Sequence, residues 1–194
     1  MSHLRSANEK QQQIANALET LHAMMLDRGI VFDELLHEED YPADSIFHFQ
    51  KDSNIVLFFL NGKAWKEIVA YVEDREWDKD WYYLIVVKDP SDLKKNKDQA
   101  LTHYQTFTLL ELQFNISAHE LVPKHELITN EEEINNVLTM YQVKKTQLPQ
   151  IQKTDPMSRY LNAKVGQMIK VTRVSPTCGT SIVYRSVVWG KNLN

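Results

Sequence analysis

The unbroken apolar run at 55–60, Ile-Val-Leu-Phe-Phe-Leu, leaves the chain few ways to fold. A strand with one wet face alternates apolar and polar residues, so a run without polar members reads as a central strand covered on both sides. Its surroundings supply the rest of a sheet. Residues 46–49 read as a preceding strand, joined through the turn formers Lys51, Asp52, Ser53 and Asn54, and Asn61 with Gly62 ends the second strand. Residues 64–77 carry Trp65, Ile68, Val69, Val72 and Trp77 at helical spacing, enough to cover one face. Residues 81–88 give a third apolar strand, 89–92 a turn, and 106–114 a fourth strand. Upstream, Ile14, Ala17, Leu18, Leu21, Met24 and Met25 define an amphipathic helix stopped at Asp27, Arg28 and Gly29, while the polar residues 1–13 are expected to fray. Helix, strands, helix, strands is the order of a small α/β domain over 1–114.

A second domain is expected over 115–194, joined near 115–118. Its opening segment, His119-Glu120-Leu121-Val122-Pro123-Lys124-His125, mixes charge and apolar residues too closely for an amphipathic helix, and Pro123 favours extended backbone. We read it as an extended linker lying against something. Thr129 and Glu132 have capping-box spacing before a helix whose apolar side is Ile134, Val137, Leu138 and Tyr141. Residues 147–151 are extended again. Asp155 and Pro156 then pair an N-cap with a residue suited to the first helical position, with Met157, Tyr160 and Leu161 as the apolar side. Gly166 turns the chain into an apolar-rich run at 168–171; turn formers follow at 175–179, and 182–189 reads as a partner strand. The fold class is therefore α/β and α+β: an N-terminal α/β domain and a compact C-terminal α+β domain with a short sheet.

Charge separates the halves. Residues 1–114 hold 12 Lys/Arg and 20 Asp/Glu, a net charge of −8, whereas 115–194 hold 10 and 6, a net charge of +4. An acidic first half argues against an autonomous nucleic-acid-binding domain there, so any DNA contact has to be local. The only basic cluster in that half is Lys94, Lys95 and Lys97. The single cysteine, Cys178, rules out an internal disulfide and a cysteine zinc site. No apolar run approaches the roughly 20 residues of a membrane span. A soluble intracellular protein, with no membrane contact and no cofactor, is the expectation.

Catalytic arrangements find little support. Paired carboxylates on a sheet would suit a metal-dependent nuclease, but the strand at 81–87 carries none, and only Asp78, Asp80 and Asp89 flank it. The cluster His37, Glu38, Glu39, Asp40 reads as a solvated loop. His119 and His125, in extended proline-bearing backbone, read as polar contacts rather than metal ligands. No catalytic residue and no metal site is assigned; a metal-dependent nuclease or other nucleic-acid-processing enzyme on the first domain remains the competing reading.

Across 119–188, the residues His119 to His125, Tyr141-Gln142-Val143, Gln147-Leu148-Pro149-Gln150-Ile151, Asp155-Pro156, Arg159-Tyr160-Leu161, Val165-Gly166 and Tyr184-Arg185 form one ordered pattern. That pattern resembles the family formed by the H subunit of archaeal RNA polymerase and the fifth common subunit of the nuclear polymerases. The stretch Met25 to Ile30 also resembles the end of the eukaryotic subunit's first helix. Asn162 stands where the family usually has glycine, and Pro176 and Cys178 depart from its hairpin turn. The resemblance implies a noncatalytic subunit of a multi-subunit DNA-dependent RNA polymerase, a hetero-oligomer in which other chains carry the chemistry. It implies contacts with the largest subunit and near the sixth common subunit through His119, Lys124, His125, Arg159, Tyr160, Thr177, Tyr184 and Arg185. It implies, too, a lower-jaw position for the first domain beside downstream double-stranded DNA, with Pro90 and Ser91 in the DNA-facing loop and Lys94, Lys95 and Lys97 as candidate phosphate contacts. The implied location is the nucleus for a cellular chain, and the virion or a cytoplasmic viral factory for a viral one.

Overall fold

Two mixed sheets with helical cover make up the protein. A computed structural model describes residues 2–36, 41, 45–61, 65–88, 101–175 and 179–190. The chain divides into two units, Met1–Phe114 and Asn115–Asn194.

In the first unit α1 (Ser2–Asp27) precedes β1 (Ile46–Lys51), β2 (Asn54–Phe59), α2 (Trp65–Asp74), β3 (Tyr82–Val87) and β4 (His103–Thr108). The sheet runs β1-β2-β3-β4, with β1 antiparallel to β2 and the remaining pairs parallel. The apolar run is buried on both faces, as its composition demands. Ile55, Leu57 and Phe59, with Tyr83, Ile85 and Val87 of β3, pack under Trp65, Ile68 and Val72 of α2. Val56, Phe58, Leu84 and Val86 point the other way and are equally sealed. On that second face Arg28, just past α1, donates to Tyr82 Oη and to Gln105 Oε1, both at 2.9 Å. Burial raises the Tyr82 phenol pKa, partly offset by the Arg28 charge and hydrogen bond.

Boundaries of α1, α2 and β4 differ from the sequence expectation. The polar residues from Ser2 onward continue α1 instead of fraying. Helix α2 stops at Asp74 because Glu76 takes a left-handed φ of 54°, and the Trp77 N–H reaches back to Val72 O at 3.4 Å. Strand β4 ends at Thr108, well short of 114. There Glu111 bends back, its carboxylate accepting from the Thr108 N–H at 2.8 Å while its own N–H donates to Thr108 Oγ1 at 3.2 Å. The Leu109 N–H still bonds Val87 O at 2.8 Å, so the Thr108 N–H faces the open edge of the sheet, where the local carboxylate satisfies it as the chain turns away.

Tyr83 is fully enclosed and its phenol donates to Asp78 O at 2.6 Å. Burial first, and then the Asp78 charge, push its pKa from 10.0 up to about 12. The unfolded chain releases this proton at the lower value, so the contribution to stability is full below it and is lost as pH rises through the upper one. Urea midpoints measured across that alkaline window should fall for the natural protein, and fall less steeply for Tyr83→Phe. Equal slopes for the two proteins would overturn this assignment.

The second unit comprises β5 (Lys124–Ile128), α3 (Glu131–Tyr141), β6 (Gln150–Gln152), α4 (Pro156–Tyr160), β7 (Met168–Ser175) and β8 (Gly179–Val188), with a 3-10 turn at Ile116–Ala118. Its sheet runs β5-β7-β8-β6; β6 alone is parallel to its neighbour. Ile134 and Val137 of α3 pack on Ile128 and Met168. The opposite face buries Ile169, Val171 and Val187. Asp155 caps α4 as expected, accepting from the Met157 N–H at 2.9 Å, and Asn162 adopts the left-handed conformation at φ 52°. The cap of α3 is Asn130 rather than Thr129: its Oδ1 accepts from the Glu132 N–H at 2.8 Å. Strand β8 starts at Gly179 and leaves Trp189 exposed beyond its end.

Candidate interaction surfaces

The segment 119–125, read as a linker, ends by entering a strand: its last two residues, Lys124 and His125, open β5. From Lys124 to Ile128 it pairs antiparallel with β7, which settles where each candidate side chain stands. Directly paired residues share a face. One face therefore carries Lys124 with Thr172 and Ile182, and Glu126 with Lys170 and Tyr184. The other carries His125 with Val171 and Val183, and Leu127 with Ile169 and Arg185. The residues expected to meet a partner are thus divided between two faces.

On the first face Glu126 holds two lysines, Lys124 Nζ at 3.0 Å and Lys170 Nζ at 3.5 Å. The Lys124 hydrogen bond, followed by the charges of both lysines, lowers its carboxyl pKa. Such a surface network orients side chains more than it stabilises the fold. Tyr184 lies edge-on to Tyr141, ring centroids 5.8 Å apart, and closes over the α3 core. Tyr141 itself is exposed, not the core residue its spacing predicted.

The histidines are tied to their own loop. His119 Nδ1 accepts from the Leu121 N–H at 3.1 Å, which leaves the ring proton on Nε2. His125 Nδ1 lies 2.6 Å from Pro123 O; a carbonyl only accepts, so here Nδ1 carries the proton. Arg159 is half-buried on α4. Tyr160 departs from the expectation of a partner contact: it is only 3% exposed, and its hydroxyl meets Ser117 Oγ at 3.1 Å. Its side chain belongs to the interior of its own unit. Thr177, like Pro176 and Cys178 of the same turn, lies outside the described residues.

In the first unit the DNA-proximal candidates Pro90, Ser91, Lys94, Lys95 and Lys97 lie outside the described residues, as do Asp89 and the cluster 37–40. Asp78 and Asp80 make a turn, the Asp80 N–H donating to Asp78 Oδ1 at 3.0 Å. Among the described residues no three His, Cys, Asp or Glu side chains converge as a metal site would require. A cluster missed in the sequence closes α2. Arg75 stacks on Tyr71 at 3.4 Å and donates to Tyr71 O at 3.3 Å, while His48 meets Trp77 edge-on at 4.7 Å. Burial, and then Arg75, lower the His48 pKa. It joins β1 to α2, a long-range contact that no local spacing announces.

Comparison with known proteins covers both units. Residues 114–187 match the family model described as RNA polymerase Rpb5, C-terminal domain. The subunit RPABC1 of DNA-directed RNA polymerases I, II and III from Caenorhabditis briggsae is 32% identical over 197 residues, spanning 97% of this chain and 90% of the relative. Its counterpart in Dictyostelium discoideum is 35% identical over 159 residues, covering 78% and 76%. The archaeal DNA-directed RNA polymerase subunit Rpo5 of Thermofilum pendens is 46% identical over 78 residues, which are 40% of this chain but 96% of that protein. With a relative above 30% identity aligned over 97% of this chain, and the second unit matched separately, the chain belongs to the Rpb5 family of RNA polymerase subunits.

Proposed function

We propose that this chain is a noncatalytic subunit of a multi-subunit DNA-dependent RNA polymerase, whose nucleotidyl transfer is carried out by other chains. The second unit is its assembly piece, docked on the largest subunit near the sixth common subunit. The first unit forms part of the lower jaw beside downstream double-stranded DNA. The observation that supports this most is the likeness to RPABC1 over 97% of the chain, which takes in both units. Location follows the host: the nucleus for a cellular chain, the virion or a cytoplasmic factory for a viral one.

The test is purification of the tagged chain under conditions that preserve complexes, with mass spectrometry of what accompanies it. Large polymerase subunits in fixed ratio are the expected result, and their absence would overturn the assignment. The nuclease alternative predicts instead Mg²⁺- or Mn²⁺-dependent cleavage by the purified chain, lost on replacing Asp78, Asp80 or Asp89. The DNA-facing role has its own measurement. If Lys94, Lys95 and Lys97 each neutralise one phosphate, replacing all three with alanine should lower the salt-dependence slope of DNA binding by about 2.7, at roughly 0.9 per contact. An unchanged slope would remove them from the DNA.

A further inference from the structure

The sheet of the second unit protects its edges unevenly. Strand β5 presents Lys124 and is preceded by Pro123, which has no N–H to offer a further partner. Strand β6 is only three residues long and follows Pro149. It shields β8 over Ser186, Val187 and Val188 alone. From Gly179 to Arg185 the outer side of β8 has no strand beside it among the described residues. That length is about 20 Å at roughly 3.3 Å per residue, ample for a partner strand.

Parity identifies the open groups. The Ser186 N–H points outward, bonding Pro149 O at 2.9 Å, whereas the Val187 N–H points inward, bonding Gln167 O. Alternate residues of a strand direct both backbone groups to the same side, so Thr180, Ile182 and Tyr184 present theirs outward. Their sequence, Thr-Ser-Ile-Val-Tyr over 180–184, has no lysine, proline or charge to discourage pairing. Flanking it on one face is Ile182, 44% exposed, with Tyr184. On the other are Arg185 and Arg173, and neither has a carboxylate partner among the described residues.

We infer that the outer edge of β8, over 180–185, receives by strand addition an extended segment of a neighbouring polymerase chain, in which an acidic residue faces Arg185 and an apolar residue covers Ile182. The inference rests on the proposed polymerase membership and names the surface and chemistry of one contact. Charge complementarity selects the occupant: two unneutralised guanidinium groups beside an uncharged, β-branched edge fit an acidic-apolar strand and repel a basic one.

Hydrogen exchange resolved to single amides, on the full chain alone and within the purified polymerase particle, tests it. Thr180, Ile182 and Tyr184 should exchange at least about tenfold more slowly in the particle, while Ser181 and Val183, already bonded to β7, change little. Ile182→Pro removes an outward donor without touching the β7 ladder, and Arg185→Glu reverses the charge. Each should lower recovery of the particle about tenfold at moderate salt, with Ile182→Val as the neutral control. Cross-linking through residue 185 should map to an acidic segment. Outward amides that exchange equally fast in a particle containing the chain would overturn this inference and leave polymerase membership standing. A natural chain that enters no particle would remove both.

Discussion

Replacing Phe58 with alanine will destabilise the first unit by about 3–5 kcal/mol, the range for truncating a large buried aromatic. Phe58 has no exposed surface and sits on β2, between Phe47 of β1 and Val86 of β3. It stacks on Phe47 at 4.6 Å and meets Phe49 edge-on at 6.4 Å. Its neighbours are fixed in a ladder hydrogen-bonded on both sides, so the void left by the ring cannot collapse cheaply. The loss should appear in urea unfolding followed by the fluorescence of Trp65, Trp77 and Trp81, as a lower midpoint with an unchanged denaturant slope. Phe58→Leu should cost less than about 1.5 kcal/mol. The contrast is Phe114, 62% exposed, whose replacement by alanine should stay within about 0.5 kcal/mol. A Phe58→Ala cost as small as that of Phe114→Ala would mean that this face of the sheet is not packed.

The Phe58 position was legible because its segment offers only one solution. Six consecutive apolar residues leave no polar face, so the central placement of 55–60 needed no long-range information. Asp155-Pro156 and Asn162 were equally local, each fixed by the conformation its own residue prefers. The errors came where two local solutions compete. Thr129 and Asn130 are both good caps, and a one-residue shift still leaves glutamates in the first turn; the helix uses Asn130. Residues 106–114 pattern as a strand, yet Glu111 captures the Thr108 donor within three residues. At 124–128 three polar residues, Lys124, His125 and Glu126, are followed by two apolar ones, Leu127 and Ile128, an order that hides the period of two from any hydrophobicity argument. Pairing with β7, forty or more residues away, makes that segment a strand. The interaction surface is less legible still, because which backbone groups remain open on β8 depends on where β6 stops. The family pattern pointed to Tyr184 and Arg185 as neighbours in sequence; a strand puts them on opposite faces, and the sheet shows which residues share each face.

Tyr160 separates a residue that holds its own unit together from one that holds a partner, and the two substitutions at this position give different results. Tyr160→Ala is expected to cost about 3–5 kcal/mol, as for other large aromatic truncations, because the residue is buried. Tyr160→Phe keeps the ring and gives up the 3.1 Å contact with Ser117 Oγ, a loss of about 1 kcal/mol. Ser117 is not orphaned by that change, since its hydroxyl also donates to Asn115 Oδ1 at 2.9 Å. Urea midpoints of both variants, set beside the recovery of each in the polymerase particle, decide the role. Interior packing predicts that recovery follows stability: near normal for Tyr160→Phe, and poor for Tyr160→Ala in proportion to its unfolding. A direct partner contact through the phenol predicts the reverse for the phenylalanine variant, a stable protein that fails to assemble. With the residue only 3% exposed, the first pattern is the expected one, and a well-folded, unassembled Tyr160→Phe protein would refute it.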